Sequence, residues 1–416
     1  MSIVTTFESQ CRALTVAPSP DENASRFLIG TLNPKCEDNL LYLFEYKDDN
    51  NNLAKVSFRF PYGESWSLSS SNRYPKLVSA VLGVKGTLSV GVYKLPDELD
   101  STIEDDYGLS ESPIEKLYEP ISQSKNLSRQ SHWHPEDSCQ ILTCDNGTMQ
   151  FWDVGEQKHV RDFALLQLIE RSLSPNSDNP TNNQKDLKSR VTDLRWSSLF
   201  NCSVVAATIG PQIYGIDTRI PDSNSSSICW LIEDKRCNRI RTIDFNPNSQ
   251  YYIASGGDDC RANFWDLRNT SGPALYMQTH SHWIWSIRYN PFHDQLVLSA
   301  GSDSRVALMR AQTVASEPYG HLSLDDDGDD CNVVGESPDQ DVTHVSASDP
   351  EDEEHDTPAT KVKERKDEVI HIYEEHDDAV YATEWATDPW IFASLGFESR
   401  LVINRVPKSE KFSILF

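Results

Sequence analysis

Short runs in which apolar and polar residues alternate over four to six positions recur along the chain, each bounded by Gly, Asn, Asp or Pro. That period belongs to half-buried antiparallel strands, so the pattern predicts many short strands and little helix. The runs fall into a longer repeat. Phe245 maps onto Tyr289, Pro247 onto Pro291, Ser255 onto Ser299, Asp259 onto Asp303 and Arg261 onto Arg305, each pair about 44 residues apart. A further copy at 376–406 aligns without gaps, with Val380, Trp385, Ser394, Glu398, Arg400 and Asn404 on Ile284, Tyr289, Ser299, Asp303, Arg305 and Met309. Fainter copies carry Val191, Trp196 and Ile216-Asp217, then Trp133, Asn146 and Trp152-Asp153. Two more show only strand-length apolar runs such as Leu40–Phe44 and Leu77–Leu82.

A self-similar period of 40–45 residues, built from short strands and signed by Trp-Asp, marks a β-propeller. The expectation is an all-β, seven-bladed WD40 propeller forming one domain over 1–416, with blades near 7–46, 60–95, 128–154, 189–219, 237–268, 280–310 and 376–406. One blade cannot bury both of its faces, so seven must stack around an axis. Residues left over fall in three insertions, 96–129, 155–188 and 322–368. Ring closure is expected from Ser2–Thr6 lying beside Phe412–Phe416.

Composition narrows the function. The formal net charge of −26 argues against nucleic-acid backbones and anionic lipid as direct ligands, since both need a cationic field. Asp325–Asp356 holds fourteen acidic side chains and no Lys or Arg, which predicts a disordered insertion between the last two blades. It reads either as a solvating loop or as a regulated segment, with Ser337, Ser348 and Thr357 in kinase-type contexts. Nine cysteines without paired spacing indicate neither a disulfide framework nor a structural zinc site. No apolar run approaches the ~18 residues that would span a bilayer, and no secretory leader opens the chain. The expectation is a cytosolic protein, or one peripheral on a cytosolic membrane face.

Ser, His and Asp recur in a pattern that invites a catalytic reading. His280, Ser299 and Asp303 form one set, Ser255, Asp259 and Trp265 another, and His376 with Ser394 a third. Because the sets repeat at the blade interval, they are read as hydrogen-bond chains fixing blade turns; a nucleophile and its base are needed only once. Asn146, Glu398, Met309 and Asn404 depart from the set and are expected to break it. The pairs His132/His134 and His280/His282 lack a third ligand, so no metal is assigned. With no phosphate loop, zincin helix or nucleophile elbow, the reading is no enzyme and no cofactor.

A propeller offers instead a rigid ring with loop-end side chains on one face. Residues flanking the leading aliphatic of the first strand in each blade project there. These are Arg239 and Arg241, Trp283 and Trp285, and Tyr381, joined by Asp258, Ser302 and Phe397 from the residue before the turn acid, and by Trp66 in the second blade. Trp, Tyr and Arg dominate interface hot spots, so the cluster reads as a partner-binding face. Packing between blades is the competing reading for Trp283 and Trp285. A third reading takes Trp265-Asp266-Leu267-Arg268 as a WDxR signature, with Arg268 contacting the adaptor of a cullin–RING ubiquitin ligase as its substrate receptor. Arg268 capping a blade turn is the simpler account.

Several longer stretches point to one family. They include Asp244–Asn248, Gly257–Cys260, His280–Trp283, His293–Leu298, Ser316–Leu322 followed by the acidic run, Tyr373–His376, Asp388–Trp390 and Arg400–Pro407. Together they resemble the WD-repeat proteins that interact with the GARP and EARP tethering complexes, densely from about residue 190 onward and weakly before 130. The resemblance implies a non-catalytic scaffold, monomeric within a larger assembly, that binds tether subunits. It also implies a place at the trans-Golgi network and endosomes, with roles in retrograde transport, endosomal recycling and dense-core vesicle formation.

Overall fold

The computed structural model describes residues 2–21, 23–48, 52–71, 73–96, 109–110, 113–118, 130–136, 139–145, 147–173, 191–199, 202–221, 225–316 and 367–415. Asn146, most of the acidic insertion and parts of the other two insertions lie outside these residues.

Seven antiparallel sheets form the blades of a β-propeller. From inner to outer strand, the first contains Cys11–Ala17, Ala24–Thr31, Leu40–Lys47 and Asn52–Arg59, with Leu109–Ser110 added in parallel at its edge. The second contains Glu64–Ser70, Leu77–Val84, Thr87–Lys94 and Glu115–Tyr118; the third His132–Trp133, Gln140–Asp145, Thr148–Asp153 and Lys158–Phe163. The fourth contains Leu194–Trp196, Val204–Ile209, Gln212–Asp217 and Ile228–Glu233; the fifth Ile240–Phe245, Tyr252–Gly257, Arg261–Asp266 and Leu275–Gln278. The sixth contains Ile284–Tyr289, Leu296–Gly301, Val306–Arg310 and Glu368–Tyr373, and the seventh Val380–Trp385, Ile391–Gly396, Arg400–Arg405 and Ile3–Thr6.

Burial explains why some strands are easier to read than others. All six residues of Val204–Ile209, Leu296–Gly301 and Ile391–Gly396 are buried, because these second strands are covered on both faces by neighbouring blades. The core lies between blades: Phe264 and Met277 of the fifth pack with Tyr289, Val297 and Met309 of the sixth. The outermost strand Lys158–Phe163 buries only Phe163. Such a strand has no apolar signature, which is why Glu115–Tyr118 and Lys158–Phe163 fall inside stretches that the sequence marks as insertions.

Closure differs from expectation. Ile3–Thr6 pairs antiparallel with Arg400–Arg405, Ile3 opposite Ile403 and Thr6 opposite Arg400. The segment expected as its partner is instead the helix Lys408–Leu415, which follows Pro407 and buries no residue. Proline is preorganised for the start of a helix and cannot extend a sheet ladder, so the seventh blade stops short of it and takes its outer strand from the other end of the chain.

Candidate partner-binding face and central channel

Five inner strands carry an extra residue near their start, seen as a register shift against the second strand. The unpaired residues are Arg12, Trp66, Arg241, Trp285 and Tyr381. A bulge bends its strand and re-aims the side chain it carries. Here the five side chains meet across four blade boundaries. The Arg12 guanidinium lies 4.5 Å from the Tyr381 ring centre, 5.2 Å from Trp66 and 5.7 Å from Trp285. Arg241 lies 4.2 Å from Trp283 and 4.3 Å from Trp285, whose ring is 5.3 Å edge-on from Tyr381.

The remaining candidates hold this array in place. Asp258 binds Arg241 at 2.5 Å, and Trp285 Nε1 donates to Ser302 Oγ at 2.5 Å. Trp66 Nε1 donates to Glu64 at 3.2 Å, and Phe397 packs edge-on against Tyr381 at 5.8 Å. Arg239 is exposed at the channel mouth. Five of the nine candidates, Trp66, Arg239, Arg241, Trp285 and Tyr381, line one opening, and Asp258, Trp283, Ser302 and Phe397 contact members of that set. Trp285 is half-buried and packs across blades, whereas Trp283 and Phe397 stay 40% and 38% exposed. Large rings left open beside prepositioned cations make a surface suited to a partner.

Arg12 is a member that the sequence reading missed. It follows Cys11 as Arg241 follows Ile240, but the first blade lacks the His, Asp and Trp marks that would have set its register.

Behind the mouth the ring encloses a channel of about 940 Å³ to which the inner strands of all seven blades contribute. Ionisable side chains converge on the axis. Arg195, Asp244, Arg288 and Glu384 each stand four residues after the leading aliphatic of their repeat, Val191, Ile240, Ile284 and Val380, a spacing that would have revealed them. They stitch neighbouring blades. Ile243 N donates to Asp193 Oδ2, and Tyr289 N to Asp244 Oδ2, both at 2.9 Å. Arg288 pairs with Glu384 at 3.1 Å, and the Ser286 and Thr383 hydroxyls meet at 3.0 Å.

His132 also faces this channel. Burial, reinforced by Arg195 and Arg288, pushes its pKa well below the ordinary 6.5, and burial pushes His293 in the same direction. The unfolded chain therefore binds more protons than the folded one as pH falls below about 6.5. Stability is expected to drop on acidification from pH 7 to 5.5, and thermal melts of His132→Gln should lose part of that pH dependence. An unchanged slope would remove His132 as its source.

A family model described as the EIPR1 beta-propeller matches residues 2–309. The chain belongs to the EIPR1 β-propeller family. It is 37% identical to the rat "EARP and GARP complex-interacting protein 1" over 98% of this chain and 97% of that relative. The human protein of the same name is 34% identical, and the "EARP-interacting protein homolog" of Gekko japonicus 35%, with the same coverage.

In this member of the EIPR1 family the Ser-His-acid sets are spent on blade turns. His280 bridges Asp303 Oδ1 at 2.8 Å and Ser299 Oγ at 2.9 Å. His376 does the same between Glu398 at 2.7 Å and Ser394 at 2.8 Å, so Glu398 does not break the set; its carboxylate stands in for the aspartate. In the fifth blade the Cys237 sulfur lies against Gly257 where the His280 ring lies against Gly301, so it takes the histidine's place. Trp265 Nε1 still donates to Ser255 Oγ at 2.8 Å, but Asp259 turns to Asn263 Nδ2, which also donates to Asp234.

Asp234, Cys237 and Asp259 present ligand atoms within 4.8 Å of one another, the metal-like group among the described residues. Burial pushes the Cys237 thiol up to about 12, and its Sγ donates to Arg239 O. A protonated thiol beside carboxylates already bridged by an amide is a hydrogen-bond cluster. The two His pairs also divide: His134 packs on Trp196 and His282 on Trp283, while their partners serve the channel and the turn. Arg268 folds back on Asp266 through three guanidinium hydrogen bonds of 2.7, 2.9 and 3.2 Å and lies 4.3 Å over Tyr251, the geometry of a turn cap.

Proposed function

We propose that this propeller is a non-catalytic scaffold that binds the EARP and GARP complexes through the bulge-built face around Trp283 and Trp285. It would act on the cytosolic side of the trans-Golgi network and endosomes, supporting retrograde transport, endosomal recycling and dense-core vesicle formation. Two things support the reading: the names of the relatives, and exposed aromatics held by arginines at the mouth of a rigid ring. No helix among the described residues is long and apolar enough to cross a membrane, which suits recruitment by a protein partner.

Affinity purification with mass spectrometry tests it. Wild type should recover subunits of both complexes, and Trp283→Ala/Trp285→Ala should reduce recovery about tenfold or more, as loss of hot-spot residues does. Undiminished recovery by a folded variant would remove these tryptophans as anchors. The ligase-receptor reading is less well supported because Arg268 is committed to Asp266 and Tyr251. Adaptor capture lost in Arg268→Ala would restore it.

A further inference from the structure

We propose that the central channel is an oxyanion subsite of the partner-binding face, receiving a carboxylate- or phosphate-bearing side chain from a bound polypeptide while the aromatic rim grips the residues beside it. The proposal rests on the partner-binding reading above and specifies the chemistry of what is bound.

Charge is the first argument. The channel lining carries five guanidinium groups, from Arg12, Arg195, Arg239, Arg241 and Arg288, against two carboxylates, Glu64 and Glu384, while Asp193, Asp244 and Asp258 lie behind the lining beside Arg195, Arg288 and Arg241. This inversion occurs inside a chain whose formal net charge is −26. Guanidinium groups lining a narrow cleft with low-dielectric walls focus a field that favours an entering anion.

Unmet bonding capacity is the second argument. Arg195 Nε is buried and has no hydrogen-bond acceptor among the described residues; the nearest carboxylate oxygen, on Asp193, is 3.9 Å away. Leaving a buried charged donor unsatisfied costs free energy that an incoming oxygen recovers. The guanidinium fork matches the planar carboxylate and the phosphate, and it is weakly hydrated, so it gives up water more readily than an ammonium would. The depressed pKa of His132 has the same origin in part, since Arg195 and Arg288 make the channel hostile to another cation.

The rim decides between a polypeptide and a small free anion. A soluble polyphosphate has no use for exposed rings, whereas Trp283 and Phe397 offer apolar area to the neighbours of an acidic residue. A volume of about 940 Å³ also lies within the range of sites that take organic ligands.

The test uses the full chain and fluorescence anisotropy. The probes are a labelled glutamate-rich peptide with leucine at both ends, its glutamine counterpart, and inositol hexakisphosphate as a polyanion without apolar groups. The glutamate peptide should bind saturably and at least about tenfold more tightly than the glutamine peptide. Arg195→Gln and Arg239→Gln should each remove most of that difference. Arg239 is exposed, so its variant keeps the test valid even if Arg195→Gln fails to fold. Equal binding of the two peptides, or indifference to both arginine substitutions, would overturn the subsite. Binding of inositol hexakisphosphate alone, unaffected by Trp283→Ala, would overturn the polypeptide assignment. If tether capture depends on the tryptophans and no acid preference appears, this proposal falls and the function above stands. Acid-selective peptide binding with capture indifferent to the tryptophans would instead sink the siting of that function and leave the subsite.

Discussion

Deleting residues 1–7 is expected to cost about 5 kcal/mol or more and to lower the melting temperature by about 6 °C or more. The deletion removes four ladder pairs with Arg400–Arg405 and the bond from Phe7 N to Ser399 O at 2.9 Å. It also strips the Phe7 ring from Tyr42 and Phe44, at 4.9 and 5.7 Å, and exposes the edge of the seventh blade. Such a loss is comparable with the whole stability of a typical domain, about 5–15 kcal/mol, so soluble yield should fall as well. Scanning calorimetry against a truncation after Pro407 is the comparison to make. The helix lost there has no fully buried residue, although Glu410 pairs with Arg310 and Ile414 packs on the core, so its removal should cost less. Equal effects from the two truncations would show that the first strand does not close the ring.

Asp193→Ala should be the most damaging single substitution of a polar residue in the channel, at about 3–5 kcal/mol. Asp193 is fully buried. Its carboxylate accepts from Leu194 N at 2.8 Å and, across the blade boundary, from Ile243 N at 2.9 Å. Burial raises its pKa, and Arg195 and Arg288 oppose that rise. Alanine leaves two backbone donors unsatisfied and removes an anion facing two buried cations. Asp193→Asn keeps one acceptor and should recover part of the loss. Chemical denaturation resolves the order wild type, Asn, Ala; if Ala matched Asn, the acceptor that Asn retains would contribute nothing to stability.

The parts of the molecule legible in the sequence are those whose constraint repeats. Inner and second strands recur because every blade must bury the same faces, and the turn residues of the fifth to seventh blades recur because each turn needs the same bonds. Where chemistry is conserved while residue type is not, reading residue by residue goes wrong. Glu398 does the work of an aspartate, and Cys237 abolishes a histidine bridge while Ser255 and Trp265 keep theirs. The outer strands escape notice because solvent, on one side, tolerates almost any residue. Arg12 and the channel charges were written in plain periodic positions, yet they look unremarkable one at a time. Only the bulges and the ring geometry bring Arg12 to Tyr381, or Arg288 to Glu384.

The sharing of one blade between the two ends also bears on synthesis. A ribosome moving at about 5–20 residues per second needs roughly 20–80 s to emit the chain as far as Arg405. Throughout that interval Ile3–Thr6 has no partner and the first blade has an uncovered flank. A nascent chain of this design must tolerate, or be sheltered through, a long wait with a naked strand, and stalling late in translation should be more harmful than a missense change on the outer rim.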